Sequence, residues 1–169
     1  MHQHGHDDPK AQKLYAMIKD MKICMMTTID TDGMLHTRPM HNQEADEHGD
    51  LWFFTQIQSP KITEISRDNE VSLAYADPSK QHYVSVFGTA EIVRDRAKIE
   101  EKWSEGMRAW FPEGKDDPQI ALIRVHPVKG EYWDSPNSTV LHLYGTVKAA
   151  ITGKPPTELT EQEKVNLKG

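Results

Sequence analysis

Apolar and polar residues change their rhythm several times along this chain. From Ala11 to Lys22 the apolar positions Leu14, Tyr15, Met17, Ile18 and Met21 keep a helical spacing. Ile23 to Ile29 then reads as a strand. Asp30-Thr31-Asp32-Gly33 reads as a hairpin turn, its Asp-Gly pair supplying the positive φ values. Met34 to Asn42 is the returning strand. The acidic stretch Glu44 to Asp50 ends in a second turn at Gly49-Asp50. Leu51 to Thr55 is a third strand and Pro60 to Arg67 a short helix.

The second half repeats the alternation. Val71 to Ala76 is a strand, with Asp77-Pro78-Ser79-Lys80 as its turn. Tyr83 to Val93 is long and β-rich, and Gly88 in its middle suggests a bulge or a close backbone approach. Arg94 to Trp110 returns to helical spacing through Ala97, Ile99, Trp103 and Met107 until Phe111-Pro112-Glu113-Gly114 breaks it. Ile120 to Val125 and Lys129 to Trp133 read as two strands split by His126-Pro127. Asp134 to Ser138 reads as a loop, and Val140 to Thr152 fits neither rhythm.

Six or seven strands joined mostly by short turns predict a mainly β, α+β fold. The sheet should be antiparallel and the short helices peripheral. A small closed or nearly closed barrel fits the length, and so does an open α+β sandwich. The folded domain is expected over 11–152. A polar, disordered tail at 1–10 should precede it, and a flexible, charged tail at 153–169 should follow.

Composition narrows the function classes. The 169 residues suffice for one domain with a real core. A net charge of −6 and a pI near 5.8 argue against general nucleic-acid binding and against adhesion to anionic membranes. An anionic ligand must then be held by a local site. The lone cysteine, Cys24, has no intrachain partner and reads as an inert buried thiol within Ile23-Cys24-Met25-Met26. No apolar run approaches the roughly 20 residues of a membrane helix. Met1 to Asp8 lacks the apolar core of a signal peptide, so a cytoplasmic protein is expected. His2, His4 and His6 could hold a metal weakly, but a disordered tail is the simpler reading, and no metal site is nominated elsewhere.

The candidate chemistry centres on Leu51 to Lys61. A strand ending at Thr55 passes into a helix start, with Ser59 at the N-cap and Pro60 at the first helical position. Two hydroxyls, the Lys61 ammonium and a helix N-terminus make a small anion site suited to phosphate. The competing reading is an ordinary strand–helix junction with a good cap. Arg38, in His36-Thr37-Arg38-Pro39-Met40, reads either as a phosphate- or ring-binding guanidinium or as a solvated strand arginine. Pro39 removes a ladder donor and marks its strand as an edge or a bulge. Of the four tryptophans, Trp52 and Trp103 look like core. Trp110 could belong to a pocket or an interface, and Trp133 could cover a flat ligand. No zinc, nucleophile-elbow, Walker or dinucleotide motif occurs, which suits a protein whose cofactor carries the chemistry.

The ordered series Thr37-Arg38-Pro39-Met40, Leu51-Trp52-Phe53-Phe54-Thr55, Ser59-Pro60-Lys61, Tyr83 to Ala90 and Glu131-Tyr132-Trp133 resembles the pyridoxamine 5′-phosphate oxidase-like flavin proteins. Within them it is most similar to the bacterial general stress proteins. The resemblance covers about residues 10 to 150. It implies a split β-barrel homodimer with FMN, possibly FAD, at the dimer interface and a nicotinamide nucleotide as a possible electron donor. It implies flavin contacts from Arg38, with Pro39 and Met40 beside it, and from Phe54, Thr55 and Tyr83. It further implies that Ser59 and Lys61 hold the phosphate, and that Trp133 reaches the flavin of the partner subunit. Gln43 stands where the oxidases carry a lysine, and Pro60 where they carry a basic residue. Their C-terminal arginine and histidine pattern is missing. These departures argue against oxidation of pyridoxamine phosphate. A non-catalytic flavin sensor is the alternative. So is a haem- or deazaflavin-binding relative, with His126 or His142 as the axial ligand in the haem version.

Overall fold

A computed structural model describes residues 8–135 and 161–168. Its secondary structure starts with α1 (Pro9–Asp20), β1 (Ile23–Ile29), β2 (Leu35–His41), β3 (Leu51–Gln56) and α2 (Pro60–Arg67). It continues with β4 (Glu70–Asp77), β5 (His82–Val93), α3 (Arg96–Lys102) and a 3-10 turn (Glu105–Ala109). The long strand β6 (Ile120–Asp134) and β7 (Glu161–Asn166) complete it. The seven strands form one antiparallel sheet in the order β2-β1-β4-β5-β6-β3, with β7 paired to the second half of β6. The sheet curls into a split barrel that does not close. β2 and β3, its two ends, share no ladder. One backbone hydrogen bond, from the Gln43 N–H to the Trp52 carbonyl (3.2 Å), joins them just past the end of β2.

Local chemistry explains most boundaries. Asp8 accepts the Lys10 N–H at 2.9 Å, and Pro9 opens α1, two residues before the predicted start. In the β1–β2 turn Gly33 takes φ 79°, but Asp32 keeps a negative φ, so the glycine by itself supplies the conformation expected of the Asp-Gly pair. Pro39 lies on the edge strand β2, where its missing N–H leaves no inner ladder unpaired.

Two cores form. One lies inside the curled sheet, where α1 packs Leu14, Met17 and Ile18 against Met26, Phe53, Leu73 and Val86. The other lies outside β3 and β6, where α3 and the 3-10 turn cover Trp52, Phe54, Ile120 and Leu122. Strand β3 is therefore buried on both faces, which is why Leu51 to Phe54 is an unbroken apolar run. Cys24 is buried, and burial pushes its thiol up to about 12 against the pull of the Tyr75 hydroxyl. It is inert.

Four further expectations change. His126-Pro127 does not split the last strands, because β6 runs unbroken. Pro127 lies opposite Gly88, where a β-bulge shifts the register, so the proline's missing donor falls in an already irregular part of the ladder. The helix predicted over Arg94 to Trp110 is two pieces: α3, capped by Asp95, and the 3-10 turn. Trp103 and Ser104 between them are extended, and Ser104 and Gly106 are poor helix formers. The flexible tail predicted from Gly153 does not describe 161–168. There β7 pairs with β6, and Val165 and Leu167 are buried in the main core. Two apolar residues in a charged segment are a weak sequence signal, but their partners supply the missing apolar surface. Of the disordered tail predicted at 1–10, residues 1–7 lie outside the described residues, whereas Asp8 caps α1 and Pro9 and Lys10 form its first turn, because a good N-cap followed by proline starts a helix there. The segment Val140 to Thr152, the turn Pro136 to Ser138 and His142 also lie outside them. None of the described helices is long and apolar enough to cross a membrane.

Candidate functional site

The unclosed margin of the barrel holds a cavity of about 310 Å³. Pro39, Met40 and His41 of β2 form one wall, with Ile23 beside them. Phe54, Thr55 and Gln56 of β3 form the second, leading to Ser59 and Lys61 at the start of α2. Met107, Trp110 and Phe111, from the 3-10 turn and the chain after it, form the third. The strand–helix junction singled out in the sequence thus lies beside the edge strand that carries Pro39. This happens without β2 and β3 being neighbours in the sheet, because the curl brings its two ends together.

At the α2 end the Lys61 ammonium donates to the Ser59 hydroxyl at 2.6 Å. Ser59 occupies the N-cap position, but its side chain caps no backbone N–H, so the hydroxyl is turned to the lysine and the cavity. Lys61 is half-buried, and no carboxylate among the described residues lies within ion-pair reach of it. Burial, and then the positive charge of Arg38, push its ammonium below its ordinary value, against the opposing pull of Glu64. A cation in this setting gains most from an anionic ligand. Thr55 is buried at the strand end, and its hydroxyl makes only a long 3.5 Å contact to the Gln56 carbonyl. The donor set suits a phosphoryl group, and the apolar walls suit a flat organic body attached to it.

Arg38 is placed differently from its neighbours. Pro39, Met40 and His41 line the cavity, but Arg38, the residue before them, does not. Its guanidinium is bound to the Glu64 carboxylate and donates to Thr28 Oγ1 at 2.5 Å. Thr28 in turn donates to Glu64 at 2.5 Å, and His36 Nδ1 lies 3.1 Å from the other Glu64 oxygen. Burial works against the Glu64 charge, but Thr28, His36 and Arg38 together hold the carboxyl below its ordinary value. Arg38 therefore acts on the cavity through its charge at Lys61 rather than by lining it.

Of the residues nominated from sequence, Pro39, Met40, Phe54, Thr55, Ser59 and Lys61 line this one cavity. Tyr83 and Trp133 do not. They pair across β5 and β6 on the outer face of the sheet. Four large apolar side chains on that face are exposed: Ile23 and Met25 on β1, Tyr83 and Phe87 on β5. His126 is likewise apart from the cavity, its Nδ1 bound to the fully buried Asp50 carboxylate at 2.8 Å.

Sequence reasoning missed His41, Gln56, Met107 and Phe111 as wall residues. His41 Nδ1 lies 3.3 Å from the Gln43 amide nitrogen, which also contacts the Met107 sulfur at 3.6 Å, so the first and third walls are tied together. Trp110, 60% exposed, stands at the rim, the pocket role its place near a helix break had suggested. The rings of Phe54, Trp103 and Phe111 pack within 5.8 to 6.4 Å of one another behind the wall.

Comparison with known proteins places this geometry in a lineage. A family described as pyridoxamine 5′-phosphate oxidase like matches residues 9–157. The protein bli-3 of Neurospora crassa is 31% identical over 171 residues, covering 92% of this chain and 82% of that protein. The crystal structure of a putative general stress protein 26 from Jannaschia sp. CCS1 superposes with a TM-score of 0.74 at 25% identity, covering 93% of this chain and 98% of the other. The general stress FMN/FAD binding protein from Xanthomonas citri superposes with a TM-score of 0.63 at 27% identity, covering 76% of this chain and 89% of the other.

Proposed function

We propose that this chain, which belongs to the pyridoxamine 5′-phosphate oxidase-like family, binds flavin mononucleotide in the cavity between β2, β3 and the 105–111 segment. The observation that carries the reading is Lys61. Its half-buried ammonium is bound to the Ser59 hydroxyl and lacks a carboxylate partner among the described residues, at the end of a largely apolar cavity. A phosphate would satisfy it, with Ser59 and Thr55 as further donors. The resemblance in fold to an FMN/FAD binding stress protein supports a flavin as the flat body of the ligand.

The flavin, when bound, supplies electron or hydride transfer. The residues of this chain bind, orient and exclude water. Pro39, Met40 and Phe54 would pack on the ring system, and Ser59 and Lys61 would anchor the phosphate. His41 and Lys61 are the titratable side chains on the described wall, so little acid–base chemistry is built in. We read the protein as a flavin-dependent oxidoreductase of the general stress type, taking electrons from a nicotinamide nucleotide and acting on a small substrate. The same sparse wall favours a second reading, a flavin carrier or sensor without turnover. The exposed apolar row of Ile23, Met25, Tyr83 and Phe87 supports a homodimer packed through this sheet face. In such a dimer Tyr83 and Trp133 would serve the partner subunit's flavin.

The test is a visible spectrum of the purified chain, followed by titration with FMN and with FAD. Flavin bands or saturable FMN binding are expected, and the absence of both overturns the reading. The FAD titration reports whether the rim at Trp110 admits an adenylate. Oxidation of NADH or NADPH by the loaded protein separates the oxidoreductase from the carrier. Light scattering measures the assembly, and a monomer at micromolar concentration would rule out the homodimer.

A further inference from the structure

Apart from the residues that line the cavity, three residues from different parts of the chain converge near the turn between β1 and β2. Asp30 closes β1, His36 lies on β2 and Glu64 on α2, and their candidate ligand atoms all lie within 4.8 Å of one another. We infer that Asp30, His36 and Glu64 form a binding site for a divalent transition-metal ion of the zinc type. The inference does not rest on the flavin reading.

The spacing is that of a coordination shell. Bonds of about 2.0 to 2.2 Å from zinc to nitrogen or oxygen put adjacent ligand atoms about 3 to 3.6 Å apart. His36 Nδ1 and Glu64 Oε1 already lie 3.1 Å apart, as two ligands of one ion would. The site is also prepared for its task. Glu64 is buried and fixed at its other oxygen by Thr28 and Arg38, the kind of outer support that orients metal ligands. The Asp30 carboxylate is held by the Thr31 N–H and hydroxyl. His36 is half exposed, which leaves an entry path and room for water in the remaining positions.

Charge and ligand type decide which ion fits. Two carboxylates carry two negative charges, and Arg38 balances one of them. One imidazole among carboxylates suits zinc and its first-row neighbours better than calcium or magnesium, which take oxygen ligands.

The experiment uses the full chain with His2, His4 and His6 changed to Gln, so that the terminal imidazoles do not compete. After chelator treatment and removal of the chelator, Zn2+ is titrated by calorimetry. One equivalent should bind. His36→Ala and Asp30→Asn should each weaken binding by at least about tenfold. Both positions are at least partly exposed, and circular dichroism checks that the variants fold. Zn2+ should also shift the His36 Nδ1 resonance. No uptake by the parent, or uptake unchanged in His36→Ala, overturns the inference.

Discussion

Arg38 on β2 is bound to the buried carboxylate of Glu64 on α2, so the arginine that the sequence offered to a ligand is held by the protein itself. The pair ties the edge strand of the sheet to the helix whose first turn carries Lys61. Removing one member leaves the other poorly solvated. We expect Glu64→Gln to destabilise the fold by about 2 to 4 kcal/mol, somewhat below a fully buried pair because Arg38 keeps some contact with water. Chemical denaturation measures it, and a change below about 0.5 kcal/mol would show that the pair is structurally idle.

The same pair gives stability a pH dependence. The folded Glu64 carboxyl titrates below its unfolded value, because Thr28, His36 and Arg38 outweigh the cost of burial. Its contribution is therefore fully present above the unfolded carboxyl pKa and is lost as pH falls through the lower, folded one. Melting temperatures measured from neutral to acid pH should drop less steeply for Glu64→Gln than for the parent. Parallel curves would contradict this.

Lys61 and Ser59 should discriminate between ligands with and without phosphate. Lys61→Ala is expected to weaken FMN by tenfold or more, about 1.4 kcal/mol, and Ser59→Ala by less. Riboflavin should be affected much less by either. Equal losses for both ligands in a binding titration would mean that these residues do not hold the phosphate.

Gly88 and Gly130 invite opposite expectations from the same substitution. A Cβ on Gly88 would overlap the backbone carbonyl oxygen of His126, which cannot swing aside. A Cβ on Gly130 would meet the tip of the Leu14 side chain, which can change rotamer. Gly88→Ala should therefore cost about 1 to 3 kcal/mol and Gly130→Ala clearly less. Denaturant midpoints for the two variants decide it, and the reverse order would contradict the packing described.

The segment 161–168 should matter to stability despite its charged sequence. Leu167→Ala is expected to cost about 2 kcal/mol, near the low end for a buried leucine because Leu167 lies just past the end of β7 and is not fully enclosed. An unchanged melting temperature would return this stretch to the status of a loose tail.

The alternation of apolar and polar residues carried most of the strands because each has one buried face, and the turns carried their own signatures at Gly33 and Gly49. Gly88 was readable as a bulge or close approach, and it is both. The Ser59-Pro60-Lys61 junction was readable because its residue types are tied to helix starts. Contacts between distant segments were not readable. Nothing local in Arg38 reveals Glu64, 26 positions away. Nothing in Met107 or Phe111 reveals that they face β2 across a cavity, and Asp30, His36 and Glu64 become a cluster only once α2 packs on β1 and β2. Strand β7 was hidden for the same reason, since its apolar content is too small to announce a strand without β6 beside it.

The barrel's two end strands meet at the cavity with one backbone hydrogen bond, Gln43 to Trp52, between their segments. Any molecule seated there would clasp two edges that the chain itself barely fastens. Binding would then be felt as stiffening along the seam. Amide hydrogens of β2 and the β3–α2 junction should exchange more slowly when the cavity is filled, while those deep in β5 and β6 stay as they were. A ligand held in the open barrel would thus be a structural member, and its loss would loosen one edge of the protein without unfolding it.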